Sequence, residues 1–151
     1  MTTNPFSSAS RPLFSPTAAG GGTRVEKDTM GEMPVPADVL YGASTQRAVL
    51  NFPVSGRIVP EGVLKAYGTL KAACARMNNT LARLDDARTK AIVEACAEIE
   101  AGLPERGGLA KHFPIDIYQT GSGTSTNMNV NEVIANLVCH RNHKPIGSSK
   151  N

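Results

Sequence analysis

The sequence of 151 residues predicts a mainly α fold. Apolar residues recur at spacings of three and four over residues 61 to about 82 and again over residues 86 to 101, which is the pattern of amphipathic helices. Similar spacing follows a glycine-rich loop near residue 120. Glycine and proline punctuate residues 24 to 43, and this composition indicates short extended pieces and turns.

The two long helices have predicted core faces and predicted ends. Gly68 interrupts the first helix and indicates close packing against a neighbour. Asp85 or Asp86 is the expected N-cap of the second helix, and Gly102 is its expected end. The expected apolar stripe of the first helix consists of Leu64, Tyr67, Cys74, Met77 and Leu81, and that of the second of Ile92, Cys96, Ile99 and Leu103.

The regions outside these helices set the domain boundaries. Residues 1–22 are rich in Ser, Pro, Gly and Ala and predict a disordered tail, so residues 23–151 are expected to form one domain. Arg11 is the only basic side chain of this tail, which argues against a transit peptide. A short helix is expected at residues 45 to 51, before Pro53. No apolar run approaches the roughly 20 residues of a membrane span, so no membrane partner is expected.

Charge and cysteine content exclude several classes of function. The formal net charge is +3, from 16 basic and 13 acidic side chains that are interspersed. This excess is too small to indicate a nucleic-acid partner, and aromatic residues do not alternate with the basic ones. Cys74, Cys96 and Cys139 lie among apolar residues of predicted helices. Buried, reduced thiols are therefore expected, which favours a cytoplasmic location.

The three histidines do not form a convincing metal site. His140 and His143 stand three residues apart beside Arg141 and Lys144, and they indicate a solvated helix end. His112 is expected to be a loop residue without a catalytic role. No metal or other cofactor is expected.

Residues 119–132 predict an anion-binding loop at the start of a helix. Residues 115–118 before the loop have the composition of a short extended run. Gly121 and Gly123 allow a sharp turn and a close approach to a ligand. Hydroxyl groups follow on Ser122, Thr124, Ser125 and Thr126. The free amides and positive dipole end of the helix favour a carboxylate or phosphate at this position.

Two common phosphate-binding loops do not fit the same residues. A Walker loop ends in Gly-Lys-Ser/Thr, yet no lysine occurs between Lys111 and Lys144. A dinucleotide fingerprint requires a small residue where this chain has Thr126. The structural alternative is a glycine turn followed by a helix that Asn127 and Asn129 cap.

The wording of three ordered blocks resembles the class II fumarases of the fumarase/aspartase superfamily. Residues 119–133 read Gln-Thr-Gly-Ser-Gly-Thr-x-x-Asn-Met-Asn-x-Asn-Glu-Val. Residues 24–32 and 35–38 read Arg-Val-Glu-Lys-Asp-Thr-Met-Gly-Glu and Val-Pro-Ala-Asp, and residues 41–48 read Tyr-Gly-Ala-Ser-Thr-Gln-Arg-Ala. Aspartases typically have Gly-Gly-Ala-Gly-Thr at the loop, so Thr120 and Ser122 favour fumarase.

The resemblance implies a fold and a set of substrate-binding residues. The expected fold is the N-terminal domain of the fumarase/aspartase-type lyase fold, truncated before the central helix bundle. Ser122, Gly123 and Thr124 are expected to contact a dicarboxylate such as fumarate or malate. Asn127 and Asn131 share one helical face, and their two interpretations are orientation of the site or, preferably, buried amides bonded to neighbouring helices. Lys150 is implied at a secondary dicarboxylate site.

The resemblance also implies what this chain does not carry. The family adds water reversibly across fumarate to give malate, with a serine base and a histidine from later segments. We expect no catalytic residue in this chain, since both would lie beyond Asn151, where the sequence ends. We also expect no activity from this chain alone and a homotetramer for the full-length enzyme. The alternatives are an aspartate ammonia-lyase of the same superfamily and a non-catalytic helical module that binds an anion or a partner.

Overall fold

The chain folds into a small antiparallel sheet followed by helices in the computed structural model, which describes residues 21–147. Most of the predicted tail, residues 1–20, lies outside the described residues. A 3-10 turn, Pro104–Arg106, precedes the fourth helix. The elements are β1 (Thr23–Asp28), β2 (Gly31–Pro36), α1 (Ala43–Asn51), α2 (Glu61–Thr80), α3 (Asp86–Ala101), α4 (Leu109–His112) and α5 (Thr124–Arg141). The prediction of a mainly α fold with short extended segments is confirmed.

Arginine side chains hold the hairpin of β1 and β2 against α1 and the segment before it, and one of them, Arg47 of α1, forms a 2.9 Å ion pair with Asp28. The strands pair antiparallel with Asp28 opposite Gly31. The sequence predicted short extended pieces here but not their pairing. The Arg24 guanidinium donates hydrogen bonds to the carbonyl oxygens of Val39 at 2.8 Å and Tyr41 at 2.6 Å. It also forms an ion pair with Glu26 at 2.7 Å. The hairpin is therefore held against the segment that leads into α1.

Helices α2 and α3 pack closely where α2 carries a glycine. A Cβ atom added to Gly68 would lie 3.1 Å from the carbonyl oxygen of Cys96, which confirms the predicted close approach. The boundaries of α3 match the sequence prediction, because Asp85 caps it through a 2.8 Å hydrogen bond from the Arg88 amide. Gly102 ends it in the left-handed conformation, with φ of 91°.

The predicted apolar stripe of α2 is wrong in its second half. Leu64 is buried, but Cys74 is exposed and Met77 and Leu81 are each 58% exposed. The residues that face the core there are Ala72 and Ala75, because only small side chains fit where α3 lies so close. The larger residues lie on a second apolar face of α2, formed by Val63, Leu70, Met77 and Leu81 and exposed in this chain.

Helix α5 passes through the core. Val130, Val133 and Leu137 are fully buried. Two buried asparagines on the same helix donate to the backbone: Asn129 to the carbonyl oxygen of His112 at 2.9 Å and Asn136 to that of Leu40 at 2.7 Å. These bonds satisfy the buried amides and attach α5 to α4 and to the segment before α1.

The segment before the loop is not a strand. Asp116 forms only an isolated bridge with Ile58. Its carboxylate accepts hydrogen bonds from the amides of Ser55, Gly56 and Tyr118 at 2.6 to 2.8 Å. Burial alone would raise the pKa of Asp116, but these hydrogen bonds outweigh it and lower the pKa. Instead of strand pairing, the Asp116 carboxylate connects this segment to the loop after α1 through the amides of Ser55 and Gly56.

No helix within residues 21–147 is long and apolar enough to cross a membrane.

Candidate functional site

The loop before α5 turns on two glycines in the left-handed region. Gly121 has φ of 82° and Gly123 has φ of 74°. Gly123 is the N-cap of α5, so the helix begins at Thr124. A β-branched or bulky residue would be strained at either glycine. The loop therefore reverses direction within a few residues and places its hydroxyl groups at the helix start, as predicted.

Three hydroxyl groups of the loop form a hydrogen-bonded chain, which we call the hydroxyl chain. The Oγ1 atom of Thr120 lies 3.0 Å from Oγ of Ser122, and that atom lies 2.9 Å from Oγ1 of Thr124. All three side chains are exposed. Because hydroxyl groups both donate and accept, the chain can reorient toward an anion without moving the backbone.

The loop is fixed at its base by Gln119. Its side-chain oxygen accepts from the Thr126 amide at 3.0 Å, and its nitrogen donates to Oγ1 of Thr126 at 2.7 Å. Thr126 itself is buried. No separate role was expected for Gln119, for which a glutamine two residues before Gly121 is the available signal.

The start of α5 is electrostatically suited to an anion. Its first turn contains no acidic residue, and its N-cap residue, Gly123, has no side chain to cap it. Other side chains of the loop accept from two of its amides: Gln119 from Thr126 at 3.0 Å and Ser122 from Thr124 at 3.4 Å. Within the described residues the Ser125 amide makes no hydrogen bond of its own. The structural alternative in which Asn127 and Asn129 cap the helix is wrong, since Asn127 accepts from Lys71 and Asn129 donates to the His112 carbonyl in the core. The positive dipole end of the helix and the open Ser125 amide favour a carboxylate or phosphate at this position.

The two candidate supporting asparagines have different environments. Asn127 is half-buried, and its Oδ1 accepts a 2.6 Å hydrogen bond from Nζ of Lys71 on α2. Asn131 is exposed, so the expectation of two buried amides is wrong for this residue. The inward side of the helix there is occupied by Asn129 and Val130 instead. Tyr67 of α2 also lies beside the loop, with its hydroxyl 3.9 Å from the position of a Cβ on Gly123.

A buried carboxylate lies behind the site at the third turn of α5. Glu132 accepts hydrogen bonds from the amides of Gly42 at 2.8 Å, Ser44 at 3.0 Å and Thr45 at 3.1 Å. It thereby caps α1 from a distant part of the sequence. This role of Glu132 was not predicted; a glutamate close to Val130 and Val133 on the apolar side of a helix is the available signal.

An open cleft of about 380 Å³ lies elsewhere on the molecule and includes no residue of the loop. Asp38 and Lys111 form a 3.0 Å ion pair at the cleft, and Lys111 lowers the pKa of Asp38. His112 borders the cleft as the last residue of α4, so its expected loop position is wrong. Its Nδ1 accepts from the Leu40 amide at 3.1 Å, which indicates a structural histidine.

The remaining predictions concern the end of α5 and the C-terminal residues. His140 is exposed in the last turn of α5, in agreement with a solvated helix end. No group of His, Cys, Asp and Glu within residues 21–147 could hold a metal ion. Lys150 and Asn151 lie outside the described residues. The secondary site at Lys150 and the location of the catalytic serine and histidine beyond Asn151 therefore stay predictions.

The fold and site together define a mainly α protein with a glycine-hinged, hydroxyl-rich loop at the start of a buried helix. A lyase family model matches residues 31–151, and the chain belongs to this lyase family.

The chain is similar to several class II fumarate hydratases. It is 51% identical over 119 residues to "Fumarate hydratase class II 2" of Pseudomonas aeruginosa, which is 79% of this chain and 25% of that protein. It is 49% identical over 123 residues to the class II enzyme of Xylella fastidiosa, covering 82% of this chain and 25% of the relative. The chain thus spans about a quarter of the length of these relatives.

Solved structures agree with this assignment. The fumarate lyase:delta crystallin structure from Brucella melitensis matches with a TM-score of 0.77 and 38% identity, over 85% of this chain and 29% of that chain. The class II fumarase from Schistosoma mansoni matches with a TM-score of 0.72 and 37% identity, over 79% of this chain and 24% of that chain. The expected lyase-type fold is therefore confirmed.

Proposed function

We propose that the polypeptide carrying this chain is a fumarate hydratase that adds water reversibly across fumarate to give malate, a reaction of the tricarboxylic acid cycle. The observation that carries the proposal is the hydroxyl chain of Thr120, Ser122 and Thr124 at the start of α5. The names of the class II relatives support the substrate.

The loop has the chemistry that a carboxylate substrate requires. Ser122 and Thr124 supply hydroxyl donors, and the helix start supplies amide donors and positive potential. Gly123 has no side chain, so a substrate can lie directly against the backbone of the loop. In this proposal Ser122, Gly123 and Thr124 bind one carboxylate of fumarate or malate.

The proposal assigns the loop to binding and the proton transfers to residues outside this chain. Hydration forms a C–O bond from water at one alkene carbon and a C–H bond at the other. A base must take a proton from water and an acid must supply one to carbon. The hydroxyls of the loop have no adjacent histidine or carboxylate within the described residues to serve as a base. The serine and histidine that the family resemblance implies belong to segments that would follow Asn151.

We infer a homotetramer in the cytoplasm for the whole enzyme. The exposed apolar face of α2, with Leu70 54% and Met77 58% exposed, supports coverage by further parts of the protein or by another subunit. The buried thiols of Cys96 and Cys139 are consistent with a reducing compartment.

The first test is the intact mass and activity of the native polypeptide that contains residues 119–132. A mass far above 15.9 kDa together with malate formation from fumarate is the expected result. Ammonia release from aspartate without hydratase activity would identify an aspartate ammonia-lyase instead. A mass of 15.9 kDa without either activity would leave a non-catalytic anion-binding module.

The second test addresses the loop. Thr124→Val removes one hydroxyl at nearly constant shape and is expected to reduce kcat/KM for fumarate by roughly tenfold or more. Thr124→Ser keeps the hydroxyl and should retain most activity. Thr69→Val, at an exposed position of α2, is the matched control and should have no effect. Unchanged kcat/KM in Thr124→Val would contradict the assignment of the loop.

A further inference from the structure

We propose that Lys71 is a positioning residue for dicarboxylate binding, which it serves by orienting Asn127 and by adding positive charge beside the loop. The inference rests on the proposed function, because the loop before α5 is taken as the substrate site. Lys71 lies on α2, outside the loop motif of residues 119–133.

The contact between Lys71 and Asn127 joins two helices at the site. Nζ of Lys71 donates to Oδ1 of Asn127 at 2.6 Å, and both side chains are half-buried. Asn127 lies in the first turn of α5, directly after the hydroxyls of the loop. The contact therefore ties the position of α2 to the start of α5.

This contact fixes the orientation of the Asn127 amide. A lysine ammonium can only donate, so the amide oxygen must face it. The Nδ2 group of Asn127 then points elsewhere as a donor, and within the described residues it has no hydrogen-bond partner. With Lys71 in place, Asn127 presents N–H groups and not an oxygen. A carboxylate ligand only accepts hydrogen bonds, so it requires donors such as these N–H groups.

Lys71 differs from the other half-buried cations because it forms no ion pair within the described residues. The other half-buried Lys and Arg side chains of residues 21–147 each form an ion pair with a carboxylate, and Lys71 forms none there. The paired residues are Arg24, Arg47, Lys65, Arg106 and Lys111.

The position of this charge is unfavourable unless an anion is present. A cation near the start of a helix is repelled by the positive end of the helix dipole. The first turn of α5 contributes no acidic residue that would offset this repulsion. A bound dicarboxylate would compensate both the ammonium and the helix start, and its affinity would then depend on Lys71.

The test compares Lys71→Met, which keeps the length and removes the charge, with Lys71→Arg, which keeps the charge. In the native polypeptide, Lys71→Met is expected to raise KM for fumarate roughly tenfold with kcat changed much less, and Lys71→Arg should restore part of the loss. Lys65→Met is the matched control, because Lys65 is a half-buried lysine of α2 paired with Glu61. It should leave KM unchanged.

Binding of succinate, an unreactive dicarboxylate, provides a second measurement by titration calorimetry. Affinity should fall roughly tenfold in Lys71→Met while the thermal unfolding midpoint stays within the range of the control. Equal KM and equal succinate affinity in wild type and Lys71→Met would overturn the proposal. So would a lowered unfolding midpoint with both binding constants unchanged, which is the signature of a structural role.

Failure of the proposed function has a different signature. A wild-type polypeptide without hydratase activity would contradict the fumarase assignment. Succinate binding would still decide the role of Lys71, since loss of affinity in Lys71→Met supports it. Absence of succinate binding by the wild type would overturn it.

Discussion

The carboxylate of Glu132 accepts a 2.8 Å hydrogen bond from the amide of Gly42, at the N-cap of α1. The same group accepts from Ser44 and Thr45, so one buried side chain satisfies three amides that a helix start leaves open. Its negative charge also faces the positive end of the α1 dipole. Because Glu132 lies on α5, this contact couples the helix of the candidate site to the front of the chain.

Replacement of Glu132 by glutamine is expected to lower the free energy of unfolding by about 2 kcal/mol. Glutamine keeps the shape but removes the charge, and its amide nitrogen would face backbone donors. Urea unfolding followed by far-UV circular dichroism measures the loss. Glu61→Gln is the matched control, since Glu61 is exposed and its ion pair with Lys65 spans 3.9 Å. Its cost should be at most about 0.5 kcal/mol, and equal losses in the two variants would contradict the prediction.

Gly42 is expected to tolerate no side chain. A Cβ atom there would lie 2.5 Å from Oε2 of Glu26 and 3.0 Å from Cδ of Glu132, both in buried carboxylates. Gly42→Ala should therefore destabilise the protein by about 2 kcal/mol. The φ angle of Gly42 is −117°, so the cost comes from crowding and not from backbone strain.

The same substitution at Gly62 provides the control for Gly42. Gly62 lies in the first turn of α2, and no atom lies within 4 Å of its added Cβ. Gly62→Ala should stabilise the protein by about 0.5 to 1 kcal/mol, because alanine loses less backbone entropy on folding. Thermal unfolding of both variants tests the pair, and a shift of the same sign in both would be inconsistent with crowding at Gly42.

Local signals explain why part of the fold could be predicted from the sequence. The bounds of α3 followed from Asp85 as a cap and Gly102 as an end, both of which act within a few residues of the chain. The turn at Gly121 and Gly123 and the start of α5 followed from the same kind of local preference. Glycine is unfavourable inside a helix, so Gly68 indicates a position where another helix packs closely, and α3 does so.

Features that depend on tertiary packing could not be predicted. Helix α2 has two apolar faces, and periodicity alone does not say which one meets α3. The alanine face is buried and the face with Met77 is exposed, because the close approach at Gly68 requires small side chains. The contacts of Glu132 with Gly42 and of Lys71 with Asn127 join residues that are far apart in the sequence. No local spacing encodes them.

His112 is expected to make stability depend on pH. Burial lowers its pKa below the ordinary value of 6.5 and outweighs the hydrogen bond to the Arg106 carbonyl, which raises the pKa. The charges of Lys111 and Arg106 lower the pKa further. The neutral ring accepts from the Leu40 amide at 3.1 Å, so protonation at Nδ1 would break this bond. As pH falls through 6.5, the unfolded chain binds a proton at His112 before the folded chain does. The free energy of unfolding therefore falls with decreasing pH.

Urea unfolding between pH 7.5 and about 5 tests the effect of His112. The wild type should be most stable above pH 6.5 and lose stability below it, whereas His112→Asn should be less stable at neutral pH with a shallower dependence. His143→Asn is the control, because His143 is exposed and its φ of 52° suits asparagine. It should keep the wild-type slope. A wild-type slope in His112→Asn would assign the pH dependence to other groups.

The cysteines are expected to differ sharply in reactivity, which corrects the expectation that all three are buried. Cys74 is exposed on α2, whereas Cys96 and Cys139 are buried. Burial, with a smaller contribution from Glu100, raises the pKa of Cys96 to about 11, so little reactive thiolate forms near pH 8.

In the 151-residue chain, iodoacetamide should modify Cys74 on the order of a hundredfold faster than Cys96, as measured by peptide mass spectrometry. Cys74→Ser should abolish the fast phase, and guanidinium should make the buried thiols reactive. Similar labelling rates at Cys74 and Cys96 in the folded chain would contradict the packing of α2 on α3.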